Sequence, residues 1–145
     1  MSFPEPVPGL VIRYAFLWRD AALRGEEEGR KDRPCAIVVT SFTAAGERVV
    51  VALPITHSPP LRADLAVEIP METKVRLGLD VERSWIVVTD ANRFVWPGPD
   101  LRPRVPGAPE TVAYGILPRA LFRELRDKLA HAIAGAHVRI VRRTD

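Results

Sequence analysis

The chain's 145 residues make up one domain's worth of sequence, taken as a single domain over 1–145. Hydrophobic residues at 47% and charged residues at 27% are the balance of a protein with its own core, not of a disordered tail. No apolar run approaches the ~20 residues of a membrane span, residues 1–6 lack the basic and apolar regions of a signal peptide, and a lone cysteine, Cys35, offers neither an internal disulfide nor a metal knuckle. A cytoplasmic setting is expected, with no membrane partner, metal or cofactor.

Net charge is +3, and among the 21 basic residues only Lys31, Lys74 and Lys128 are lysines. The planar fork of arginine donates paired hydrogen bonds to phosphate or carboxylate, but codon usage in a GC-rich genome yields the same excess. Position along the chain has to separate the two explanations.

Fourteen prolines and nine glycines cut the chain into short pieces, which favours strands. The first strand is predicted over 9–18, where Leu10, Ile12, Tyr14 and Phe16 alternate with Val11, Arg13 and Ala15. A charged stretch over 19–32, containing Gly25, Gly29 and the run Glu26-Glu27-Glu28, reads as a loop. Further strands are predicted over 33–42, 47–55, 65–69, 84–89 and 93–96, the last stopped by Pro97-Gly98-Pro99-Asp100. Proline-rich residues 101–109 read as a surface excursion. A helix is predicted over 118–134, with Pro118 in its first turn, Gly135 as a left-handed stop, and Leu121, Phe122, Leu125, Leu129 and Ile133 as one apolar stripe. The tail, 138–142, reads as one more strand or as a continuation of the helix. Together these elements predict a mainly β fold: a small antiparallel barrel with a helix on one side.

The strands over 33–42 and 47–55 are joined by the short turn Thr43-Ala44-Ala45-Gly46. With the hairpin centre between Ala44 and Ala45, facing residues have numbers that sum to about 89, so Arg33 lies opposite Thr56 with His57 adjacent. A guanidinium, an alcohol and an imidazole then converge at one open end of the barrel, beside the charged stretch. This expectation is register-sensitive, because a one-residue slip turns side chains to the other face. Metal-free RNA cleavage needs such a set. It requires a base for the 2′-hydroxyl, a proton for the leaving 5′-oxygen and fixed donors for the charge on the phosphorane. Arginine and threonine serve as donors and histidine moves protons near neutrality; Glu28 and Asp90 are carboxylates near the same end.

Gly29-Arg30-Lys31-Asp32-Arg33-Pro34 running into the apolar Cys35-Ala36-Ile37-Val38-Val39, followed by Leu53-Pro54-Ile55-Thr56, resembles the MazF/PemK family of toxin endoribonucleases. The opening Gly9-Leu10-Val11-Ile12, Glu28 ahead of the Arg-Pro pair, and Thr89-Asp90-Ala91-Asn92-Arg93 in the later strand pair extend the likeness across 9–130. The resemblance implies an SH3-like barrel of the CcdB/PemK kind. It also implies a homodimer that binds single-stranded RNA, metal-independent and sequence-specific cleavage to 2′,3′-cyclic phosphate ends, growth inhibition, and a cognate antitoxin whose acidic tail blocks the site. By position it assigns Arg33 to phosphate stabilisation, Thr56 to the active site and Asp90 to the base, with Glu28 and His57 as further catalytic candidates. Arg30, Lys31, Asn92 and Arg93 are the candidate RNA contacts.

The chain departs from that pattern at Val88, where the PemK branch places an arginine acid, and at Ala91-Asn92, where a glutamine is usual. Simpler readings stand beside the catalytic ones. Arg33 could pair with Glu28 or Asp32, Thr56 is a good strand residue, His57 could cap a turn beside Ser58-Pro59-Pro60, and Asp90 could cap one through its carboxylate. Trp85 and Trp96 could stack on bases or fill the core, and Cys35 reads as a small buried hydrophobe. Two other functions compete with the nuclease: a barrel that poisons a protein target such as gyrase, and a non-catalytic nucleic-acid-binding module. The chain end, Arg142-Arg143-Thr144-Asp145, lacks the apolar-aromatic tip associated with the first of these.

Overall fold

A computed structural model describes residues 2–20 and 31–143, so Glu28, Arg30 and most of the charged 19–32 stretch lie outside the described residues. In chain order the elements are β1 (Leu10–Phe16), β2 (Lys31–Phe42), β3 (Arg48–Thr56), β4 (Ala66–Glu68), α1 (Met71–Leu77), β5 (Trp85–Val87), β6 (Asp90–Val95), β7 (Ala113–Ile116), α2 (Arg119–Ala134) and β8 (Arg139–Arg142). The fold is mainly β with a C-terminal helix. Lys31 and Asp32 already belong to β2 rather than to the preceding loop.

The strands run β4-β5-β3-β2-β1-β7, and β6 joins β3 on the side away from β2. Strand β3 is therefore shared along that side: Val49 to Ala52 pair with β6, and Ile55 and Thr56 pair with β5. Every strand pair is antiparallel except β6 with β8, which is parallel. The tail is thus a strand, not a helix continuation.

The alternation in β1 builds two cores instead of one wet and one dry face. Leu10, Ile12, Tyr14 and Phe16 pack with Cys35, Ile37, Val50, Ala52 and Phe94. Val11 faces the other way, joining Ala36, Val38, Leu53, Ile55 and the helix residues Leu121, Leu125 and Leu129. Within α2 the buried set is Leu121, Leu125, Leu129 and Ala132, whereas Ile133 is exposed. At ~100° per residue, Ala132 lies about 20° from Leu121 around the axis and Ile133 about 120°, so alanine continues the stripe and isoleucine falls at its edge.

Four further details differ from the sequence reading. Pro118 sits just before the helix, and Gly135 keeps φ −85 while Ala136 takes the left-handed conformation at φ 59. Leu101 and Asp100 are buried, because Leu101 bridges to Tyr14 while the Asp100 carbonyl accepts from Ala15 N–H and its carboxylate from Arg143 Nη2. The first part of the proline-rich segment therefore belongs to the core. Helix α1 and strand β7 were not foreseen; they meet at Gly115 (φ 142), where a Cβ would lie 2.8 Å from Leu77 Cδ2. A side chain there would push α1 off the sheet.

Leu125 has no exposed surface and sits at the centre of the α2 stripe. Leu125→Ala is expected to lower unfolding stability by about 2–5 kcal/mol, read from urea melts, whereas Ile133→Ala should change it by less than about 0.5 kcal/mol.

Candidate active site

The β2–β3 hairpin sets the geometry. Gly46 closes the turn at φ 87, and Thr43 holds it through its backbone to Gly46 and Glu47 and through its hydroxyl, which accepts from Glu47 N–H at 3.1 Å. Next to the turn the pairs Phe42↔Arg48 to Val39↔Val51 run one residue out of the expected register. The register shifts between Ile37 and Val39, leaving Val38 as an extra residue, and Ile37↔Ala52, Ala36↔Leu53 and Cys35↔Pro54 then follow the expected one. The ladder ends at that last pair; continued by two residues, the same register sets Arg33 level with Thr56. Arg33 Nη1 reaches across to the Ile55 carbonyl at 3.4 Å.

Arg33, Thr56 and His57 line one cleft of about 470 Å³, with Lys31 and Asp32 on the same wall. The opposite wall is α1 and the loop after it: Lys74, Gly78, Leu79, Asp80 and Ser84, with Tyr114 of β7 alongside. Helix α1 is too short for a clear apolar period, though Pro70 at its start and the left-handed Gly78 (φ 73) at its end mark it.

The Arg33 guanidinium is half-buried over the Trp18 ring, 5.4 Å from its centroid. Burial pushes its pKa down from the ordinary arginine value, leaving it still a cation. Its Nε is enclosed without a hydrogen-bond partner. Among the described residues no carboxylate pairs with it, since Asp32 turns instead to Arg13 (3.8 Å) and Arg102 (3.5 Å). Thr56 Oγ1 accepts from Ser58 N–H at 3.2 Å, which leaves the hydroxyl proton able to donate.

His57 does more than cap a turn. Its Nε2 is 2.7 Å from Asp80 Oδ2 and its Nδ1 is 3.5 Å from Glu82 Oε2. Asp80 Oδ1 in turn accepts from Lys74 Nζ at 2.6 Å. Lys74 is 1% exposed, and its ammonium also donates to Ser84 Oγ at 2.5 Å and to the Glu82 carbonyl. Burial alone would raise the Asp80 carboxyl, but the hydrogen bonds from Lys74 and His57 outweigh it and hold the group below the usual aspartate range.

The β6 candidates lie elsewhere. The Asp90 carboxylate is buried, 3.0 Å from Arg139 Nη2 and bonded to the Thr89 hydroxyl, and is absent from the cleft lining. Asn92 is wholly buried: its Oδ1 accepts from Leu17 N–H (2.9 Å) and Arg143 Nη1 (3.0 Å), and its Nδ2 donates to the Leu17 carbonyl (2.8 Å). It therefore has no surface to offer RNA, and its part is to fasten the end of β1 to β6. Arg93, half-buried between Val51 and Arg142 in the ladder, is also outside the cleft. Trp85 is buried with Arg83 stacked on it at 5.0 Å, and Trp96 packs near Phe3 and Phe94. Cys35 is fully buried and its thiol pKa is pushed up by that burial, away from nucleophilic use. Among the described residues no group of three His, Cys, Asp or Glu side chains is placed to hold a metal ion, and no helix is long and apolar enough to cross a membrane. No protein-family model matches the chain, and no curated protein matches it significantly.

The depressed Asp80 pKa carries a sign. A carboxylate favoured in the folded state contributes stability above the unfolded aspartate pKa, about 3.9, and loses it as pH falls through the lower folded value. Asp80→Asn is therefore expected to lower the urea midpoint at pH 7, by a difference that shrinks as pH is lowered below about 3.9. A difference that stays the same at low pH would show that the variant acts through something other than this charge.

Proposed function

We propose that this cleft cleaves single-stranded RNA without a metal ion, and that the protein is the toxin of a MazF/PemK-type toxin–antitoxin pair. The carrying observation is a half-buried guanidinium without a carboxylate partner among the described residues, in a cleft that also presents an alcohol and an imidazole. Among the described residues the nearest carboxylate in sequence, Asp32, is taken up by other arginines.

In this reading the scissile phosphate lies against Arg33 and Thr56, whose donors face the charge that grows as the 2′-oxygen attacks phosphorus. His57 accepts the 2′-hydroxyl proton. The P–O2′ bond forms, the P–O5′ bond breaks, and the 5′-oxygen leaves with a proton from solvent. The products are a 2′,3′-cyclic phosphate and a 5′-hydroxyl, so DNA, lacking the nucleophile, is not a substrate. Lys31 attracts the flanking phosphates, and Lys31 and Arg33 together suit the acidic tail of an antitoxin. A cytoplasmic homodimer completes the proposal.

Purified protein is expected to cut unstructured RNA in the presence of EDTA and to leave single-stranded DNA intact. Arg33→Ala should reduce the cleavage rate by roughly 10²–10³-fold, the scale of losing one transition-state donor, with an unchanged circular dichroism spectrum. Wild-type cleavage rates in a folded Arg33→Ala variant would remove the assignment.

A further inference from the structure

Helix α1 and its following loop bring to the cleft a set of side chains that the β2–β3 motif does not include. Lys74 is the centre of that set. Its ammonium is buried, and its three donors are all used on one short segment: the Asp80 carboxylate, the Glu82 carbonyl and the Ser84 hydroxyl. Asp80 Oδ1 also accepts from Glu82 N–H at 3.2 Å, and Leu79 N–H returns to the Lys74 carbonyl at 2.9 Å. The loop is therefore wrapped around one cation. Moving Asp80 away would leave the buried ammonium with only neutral acceptors among the described residues, so the carboxylate is held where it is.

The two oxygens of Asp80 are divided between two partners. Oδ1 serves Lys74, and Oδ2 faces His57 Nε2 at 2.7 Å. A carboxylate accepts only, and both ring nitrogens face one; the 2.7 Å contact at Nε2 is the hydrogen bond, against 3.5 Å at Nδ1, so the proton of a neutral His57 ring belongs on Nε2 and the basic lone pair on Nδ1. Among the described residues the charged groups facing the ring are Asp80 and, with its carboxylate 3.5 Å from Nδ1, Glu82. We propose that Asp80, anchored by buried Lys74, is the positioning residue that fixes the ring and tautomer of His57 so that Nδ1 acts as the proton acceptor. This rests on the ribonuclease reading of the cleft. It adds a relay built from α1 and its loop, with residues that neither the Arg-Pro nor the Pro-x-Thr segment supplies.

The test combines a spectroscopic signature with kinetics on the full chain. Nitrogen-15 shifts of the imidazoles, with His57 assigned by its loss in His57→Gln, report the tautomer at the alkaline end of the titration. The wild-type ring is expected to be Nε2–H; Asp80→Ala should give a mixture of tautomers and a roughly 10²-fold fall in kcat with KM little changed, the scale of a mispositioned base. Asp80→Glu, which keeps an acceptor, should recover part of both. If Lys74→Met fails to fold, the two Asp80 variants still decide the matter, because Asp80 is half-exposed. A wild-type ring carrying its proton on Nδ1, or Asp80→Ala with unchanged tautomer and rate, would overturn the proposal. Protein that shows the tautomer change on mutation but never cleaves RNA would overturn the ribonuclease reading, and Asp80's catalytic part with it, while leaving the structural relay standing.

Discussion

One unpaired residue, Val38, decides what meets what at the end of the β2–β3 ladder. Without that bulge the pairing set by the turn would run straight on, and Arg33 would come level with His57 while Thr56 turned to the other face. With it, Val38 stays in the α2-side core beside Ala36, and Cys35 takes its place opposite Pro54. The cost of one broken ladder rung is offset by burying apolar side chains on both faces of β2. The site geometry is thus a by-product of core packing: Arg33 is held over Trp18 because Cys35 and Ile37 are fixed below it.

The second wall of the cleft is built differently. Its anchor is a buried cation, Lys74, in a seven-residue helix that has little stability of its own. The helix is held by Gly115, which lets Leu77 close onto β7, and by the loop whose acceptors satisfy the ammonium. A stiff hairpin wall facing a wall pinned by one ion-pair network gives a cleft whose polar groups are already oriented. Such preorganisation is what a site needs in order to stabilise charge that appears only during reaction.

Legibility in the sequence followed the length and regularity of each signal. The β-branched runs and the α2 stripe were readable because apolar residues repeat at strand and helix periods. That Arg33 and Thr56 share one cleft was readable for a partly accidental reason. The turn is centred half a residue later than its sequence suggests, which puts the pairing one residue out, and the bulge at Val38 cancels the difference. Helix α1 and strand β7 are too short to carry a period, so the Lys74–Asp80–His57 chain, which depends on them, could not be assembled from spacing. The role of Asn92 was hidden for another reason: its partners, Leu17 and Arg143, are far away in sequence, the first at the end of β1 and the second brought in where β8 returns parallel to β6. Asp90 was misplaced by the same return, which brings Arg139 to its carboxylate.

The central claim is that a ribose hydroxyl attacks its own phosphate while Arg33 and Thr56 hold that phosphate. Mass spectrometry of the fragments from an unstructured RNA, beside the same RNA carrying 2′-O-methyl groups throughout, tests this directly. Fragments ending in 2′,3′-cyclic phosphate are expected from the first, and an intact second strand. Fragments ending in a 3′-hydroxyl, cleavage of the methylated strand, or no cleavage of either would contradict the claim.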